Sequence, residues 1–297
     1  MSVATDHSKV PGAMEHTKRR ELPDGSLIEF EEAPAGWLTK AGEVRRKDWR
    51  AYFYQPAGGE RVRVTSVTTI LDAILPKPGL SPWAEARGSE GAVEAVRAGE
   101  IDPDGCADPV GIVRRLRLGA DRARDDAADR GLNTHGILER YMVTGAAPNP
   151  AEHPEAHHGY IRGATRWLLH ADPEPTAVEE LVASPDDGYA GRMDLRAIIG
   201  GLLTSVDFKT QEKGYIYPGG HLQLGLYERG AIACGDEPAD RLLVVVVAAD
   251  GSFREMAADH HDDVIDSALD FYQRVKPINS ACESANRIER EARKAAA

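Results

Sequence analysis

Hydrophobic positions change their period several times along the chain, and each change marks an element. Residues 26–30 and 51–54 alternate apolar with polar between Gly and Pro punctuation. They predict a small antiparallel β-region over 21–64, behind a disordered lead of 1–20. Val67, Ile70, Leu71, Ile74 and Leu75 recur at helical spacing behind Ser66, whose hydroxyl suits an N-cap. Pro82 fits the first turn of a second helix, which runs to about Ala98. After a loop at 99–109, helical patterning holds from about Pro109 to Val143, with Gly131 as a candidate break. A turn at 144–152 leads to a helix from about Glu155 to His170.

Residues 176–184 alternate as a strand, and Pro185-Asp186-Asp187-Gly188 is a turn signal. Two further strands, 189–199 and 202–209, flank Gly200-Gly201, a two-residue hairpin turn. A helix over 218–233, a hairpin of 242–247 with 252–256, and a helix from Asp259 to about Arg274 complete the pattern. The Ala/Arg/Glu-rich stretch 276–297 reads as a loosely held helical tail, and no internal repeat is present. This order is mixed α/β, a central mixed sheet flanked by helices, with the main domain over 65–275.

Composition narrows the class. With 42% hydrophobic and 28% charged residues in 297, the chain can bury a core without covalent staples. Cys106, Cys234 and Cys282 are dispersed and odd in number, so neither a disulfide framework nor a four-cysteine metal site is supported. The polar N-terminus lacks the apolar segment of a signal peptide, and the longest apolar run, 242–249, is too short to span a bilayer. A cytoplasmic location without membrane contact is expected. The net charge of −12 argues against non-specific coating of nucleic acid, but leaves room for a local basic track. Candidates for it are Lys18-Arg19-Arg20, Arg45-Arg46-Lys47, Arg61/Arg63 and the arginines at 114, 115, 117, 122 and 124; the alternative is solvated faces.

The hairpin carries the chemistry. Side chains alternate along a strand, so Asp207 and Lys209 share a face. If Ile199 faces Leu202 across the turn, an even count back places Asp194 opposite Asp207. Two carboxylates held together repel unless a cation neutralises them, and magnesium or manganese takes such oxygen ligands with water and substrate phosphate. Lys209 stands where it could orient or help deprotonate a water and counter negative charge. The alternative is an ordinary hairpin with a salt bridge. Elsewhere, His153-x-x-x-His157-His158 has helical ligand spacing, but Pro154 occupies the glutamate position of H-E-x-x-H. No G-x-x-x-x-G-K-[ST] motor signature is present.

Gly188-Tyr189-Ala190-Gly191-Arg192-Met193-Asp194 followed by Asp207-Phe208-Lys209-Thr210 resembles the core of the PD-(D/E)XK nuclease superfamily, in particular its RecB-type and phage recombination exonuclease branch. Arg130-Gly131-Leu132-Asn133-Thr134-His135 with Glu139 resembles the branch's upstream histidine motif. Val178-Glu179-Glu180-Leu181-Val182 resembles its acidic strand, and Gln223-Leu224-Gly225-Leu226-Tyr227 its Q-x-x-x-Y helix. These motifs cover about residues 65–230.

The resemblance implies a restriction-endonuclease-like core and a magnesium- or manganese-dependent exonuclease acting at the ends of linear DNA. It implies metal ligands at His135, Asp194, Asp207, the Phe208 carbonyl and Glu179 or Glu180, with spacing favouring Glu179. It places Lys209 at the water and Gln223, Tyr227, Arg130 and Arg192 on phosphates. It also suggests a single-strand annealing recombinase as partner and leaves an oligomer open. Relatives with an iron–sulfur cluster use four cysteines, so no such cluster is expected here. The alternatives are an endonuclease or single-strand-specific nuclease on the same core, or an inactive DNA-binding or assembly protein.

Overall fold

A computed structural model describes residues 19–33, 49–75, 80–102 and 109–296. The chain opens with antiparallel strands β1 (Arg19–Glu21), β2 (Leu27–Ala33), β3 (Trp49–Gln55) and β4 (Val62–Ser66). Their inward side chains, Leu22, Ile28 and Phe30 with Tyr52, Tyr54 and Val64, need a second surface and find it on Leu181, Ala183, Ala190 and Cys234. β4 also joins the central sheet, pairing in parallel with Tyr189 and Ala190.

Ser66 caps helix α1 (Val67–Ile74), its side chain accepting the Thr69 N–H, as the sequence predicts. Helices α2 (Leu80–Arg97) and α3 (Pro109–Thr144) follow, and α3 continues through Gly131 without a break. The helix expected from Glu155 begins later, as α4 (His158–Ala171). Two single 3₁₀ turns, Pro150–Glu152 and Glu155–His157, come first.

The central strands are β5 (Glu174–Ser184), β6 (Tyr189–Ile199), β7 (Leu202–Gln211), β8 (Arg241–Ala248) and β9 (Phe253–Ala258), with α5 (Pro218–Ala233) crossing between β7 and β8. Gly200 and Gly201 both hold positive φ, +60° and +82°, which a two-residue hairpin turn of matching twist requires. β7 and β8 run parallel, so β8 is covered on both faces, which accounts for its continuous Leu/Val run. Among the described residues, all nine strands join one sheet.

One face of the sheet packs Leu138 of α3 and Tyr160, Ala164, Trp167 and Leu168 of α4 over Leu195, Val206, Phe208 and Val245. The other packs α1, α5 and the helix α6 (Asp262–Ala296) over Val182, Tyr189 and Met193. The expected break between a helix ending near Arg274 and a separate tail does not occur. α6 runs through Pro277, and the Gln273 carbonyl that loses its helical donor lies on an exposed turn where water can serve it. Among the described residues, no helix is long and apolar enough to cross a membrane.

Candidate functional site

The site lies where the sheet forks. β5 occupies one edge of β6 along its length. On the opposite edge, Tyr189 and Ala190 pair with β4, and Leu195 to Ile199 pair with β7. Between those pairings, residues 191–194 have no ladder partner on that edge among the described residues. The hairpin register is the expected one, Ile199 facing Leu202, but the ladder ends at Leu195 and Val206. One step further, where the count would oppose Asp194 to Asp207, the strands have parted. The Asp194 carboxylate fills the gap, its Oδ2 accepting the Phe208 N–H at 2.7 Å. In an extended strand the N–H and C=O of one residue point to the same side, so the Phe208 carbonyl also faces this gap.

β5 is distorted at the same level. Its ladder with β6 omits Glu179 and Asp194 while pairing Val178 with Leu195 and Glu180 with Met193. Glu179 has φ +51°, a left-handed conformation that costs an L-residue roughly 1–2 kcal/mol. That turn aims Glu179 into the fork and leaves Glu180 on the far side, 3.5 Å from Arg20. Glu179, not Glu180, is the acid that meets His135. His135 Nδ1 lies 3.4 Å from Asp194 Oδ1 and 3.8 Å from Glu179 Oε1. One ligand atom from each of His135, Glu179 and Asp194 lies within 4.8 Å of the others. Among the described residues, this is the one such group of His, Cys, Asp or Glu. The histidines at 153, 157 and 158 do not converge: His157 meets Asn133 Nδ2 at 2.7 Å, and His158 the His153 carbonyl at 2.9 Å.

Asp207 stands beside the group, fully buried, with Lys209 Nζ 2.6 Å from its Oδ2 and donating to its Oδ1 at 2.8 Å. Burial and the Asp194 carboxylate push Asp207 up to about 6 despite Lys209. Burial draws His135 down, but Asp194 and Glu179 reverse this and hold it at about 10. Burial likewise opposes the Lys209 charge, and Asp207 and Asp194 outweigh it, so Lys209 is an ammonium held above its ordinary range. Asp194 stays below the usual carboxylate range against its own burial, chiefly through His135 and then Lys209. The arrangement is a buried cluster in which Asp194, Asp207 and Glu179 face Lys209, Arg192 and a protonated His135, offering carboxylate oxygens and one imidazole once its proton is displaced. That donor set fits a hard dication such as magnesium or manganese.

The expected phosphate-binding residues divide. Gln223 and Tyr227 share a face of α5, with Gln223 Nε2 donating to the Tyr227 hydroxyl at 2.9 Å. Tyr227 lines a cleft of about 690 Å³ that also exposes His135, Glu179, Asp194 and Arg192. Arg192 lines it but is committed to Glu179, with Nε 2.6 Å from Oε2. Arg130 is not in the cleft wall; its guanidinium lies 5.2 Å from the Tyr160 ring, toward α4. Glu139 is buried one turn beyond His135.

Sequence reasoning missed Arg50 and Tyr52 of β3, and Asp125 and Asp129 of α3, which wall the same cleft. Alternation around buried Ala51 puts Arg50 and Tyr52 on one face, but nothing local says which surface that face meets. Several arginines of the expected basic tracks face acids. Arg20 pairs with Asp236, Arg61 with Glu29 and Glu31, and Arg124 with Asp121 and Asp125. Lys18 and 45–47 lie outside the described residues, as do the side chains at 114 and 115.

No family model matches the chain, and no curated protein matches it. Among solved structures, an alkaline exonuclease from Laribacter hongkongensis is similar at 14% identity, covering 54% of this chain and 86% of its own, with a TM-score of 0.29.

Proposed function

We propose that the protein is a divalent-metal-dependent nuclease of the PD-(D/E)XK type, hydrolysing phosphodiester bonds of DNA and acting from the ends of linear duplex. The observation that carries this reading is the convergence of His135, Glu179 and Asp194 at the fork of β6 and β7, beside the Asp207–Lys209 pair. Asp194, Glu179, His135, Asp207 and the Phe208 carbonyl are the proposed ligands. A bound magnesium or manganese ion would act as a Lewis acid on the phosphate oxygens and ease loss of a proton from a bound water.

Hydrolysis requires a water oxygen to attack phosphorus as the bridging P–O bond breaks, and negative charge grows on the phosphate oxygens. Lys209 meets that charge as an ammonium, its Nζ already beside Asp207. As a standing cation it orients and stabilises; the water gives its proton to solvent, a loss a bound ion would ease, and the departing oxygen takes one up. Gln223 and Tyr227, joined by their hydrogen bond, present an amide and a hydroxyl to phosphate oxygens from α5.

The test is digestion of linear and closed circular duplex with magnesium. Removing a partner of a metal ligand costs about 10–100-fold, so Asp194→Asn, a ligand change, should cost more than about a hundredfold. Chelator should abolish digestion in wild type. Undiminished digestion by Asp194→Asn would refute the site, and equal digestion of closed circles would refute the end-directed part.

A further inference from the structure

We infer that Arg192 is a positioning residue for Glu179 and not a phosphate contact; this rests on the metal-dependent reading above. Three observations carry it. First, Arg192 Nε sits 2.6 Å from Glu179 Oε2, while Glu179 Oε1 faces His135. The guanidinium therefore fixes one carboxylate oxygen and leaves the other aimed into the ligand group. Second, Glu179 holds its place against its own backbone, with φ +51° and no ladder pairing to Asp194. A residue in so disfavoured a conformation needs its side chain tied down, and Arg192, two residues before Asp194 on the adjacent strand, ties it. Third, Arg192 is itself held, its guanidinium 5.4 Å from the Phe30 ring of β2 and its side chain 21% exposed. An arginine reaching for a mobile phosphate backbone would keep its guanidinium free. This one is paired with Glu179 and lies near an aromatic ring.

The two roles predict opposite outcomes. Electrostatics alone would make loss of the Arg192 charge strengthen binding of a dication a few ångströms away. Positioning predicts the reverse, because a freed Glu179 must be ordered again by the ion. Calorimetry with manganese alone, without DNA, on wild type, Arg192→Gln and Arg192→Lys reads this directly. Arg192→Gln should weaken manganese binding about tenfold or more, in the range seen for partners of ligating residues. Arg192→Lys should fall between, keeping the charge but not the planar fork. Duplex affinity by fluorescence anisotropy, with calcium saturating each variant, should keep the wild-type dependence on salt. A salt slope shallower by about one, with manganese affinity unchanged or tighter, would make Arg192 a phosphate contact and overturn the inference. If wild type binds no manganese, the metal reading itself fails; if wild type binds and Arg192→Gln binds equally, only the positioning role fails. Thermal melting of each variant separates these outcomes from unfolding, and Arg192→Lys stands in if Arg192→Gln does not fold.

Discussion

At the scale of single residues, the site holds two unfavourable states at once, a left-handed glutamate and an overcrowded set of charges. The backbone cost at Glu179 can be measured apart from its chemistry. Glu179→Ala keeps the strain and Glu179→Gly removes it, since glycine tolerates positive φ. Glu179→Gly should be more stable than Glu179→Ala by about 1 kcal/mol in urea unfolding. Equal stabilities would mean that the backbone relaxes once the carboxylate is gone.

The charges predict a pH dependence. His135 has a folded value of about 10, above its ordinary 6.5, so its stabilising charge is fully present below about pH 6.5 and lost as pH rises through 10. Lys209 and Tyr227 are both held above their own ordinary values and titrate later, while burial raises the Cys234 thiol from its ordinary 9.0 and adds to the fall above about pH 8, so about pH 7 to 8 reports His135 most directly. In chelator, unfolding free energy should fall across that window by about 1 kcal/mol per pH unit, and His135→Asn should flatten the fall. A slope identical in both proteins would deny the pairing with Asp194 and Glu179.

At the scale of elements, α5 can approach β6 only because position 191 has no side chain. A Cβ on Gly191 would intrude on the Tyr227 ring, the residue α5 presents to the cleft. Gly191→Ala should cost about 1–3 kcal/mol by overpacking. In a Tyr227→Ala background the same change should cost much less, and the coupling in a double-mutant cycle measures the contact. Additive effects would place the strain elsewhere.

What the sequence disclosed and what it concealed divide along this same line. The Ser66 cap, the Gly200-Gly201 hairpin and the face shared by Gln223 and Tyr227 depend on neighbours within a few residues, and periodicity reveals them. The shared side of Asp207 and Lys209 was legible for the same reason. The fork was not, because it arises from β4 and β7 competing for one edge of β6, and β4 lies more than a hundred residues away in sequence. Nor was the left-handed turn at Glu179, which nothing in Val178-Glu179-Glu180 announces, nor the commitment of Arg192 to that glutamate. The expected end near Arg274 gave way to one continuous helix, because an exposed helix can run through Pro277.

At the scale of the whole molecule, the proposed function poses a difficulty, how a protein of net charge −12 would attract a polyanion. Among the described residues, Arg20, Arg61 and Arg124 face acids, and the cleft sets Glu179, Asp194, Asp125 and Asp129 against Arg50, Arg192 and a protonated His135, which leaves the acids in excess. Arg50 is itself 2.9 Å from Glu32, and Arg192 is bound to Glu179. Without a cation the cleft repels phosphate; two positive charges added at the fork reverse the balance where the scissile group would sit. Duplex affinity should therefore depend on the ion and not only on the protein. By anisotropy at fixed ionic strength, calcium should tighten binding at least about tenfold over chelator, an effect of roughly 1.4 kcal/mol. The salt slope should be shallow, reflecting few phosphate contacts. Tight binding in chelator with a steep salt slope would contradict this picture. It would assign the attraction to a basic stretch outside the described residues, with Arg45-Arg46-Lys47 the first to neutralise by substitution.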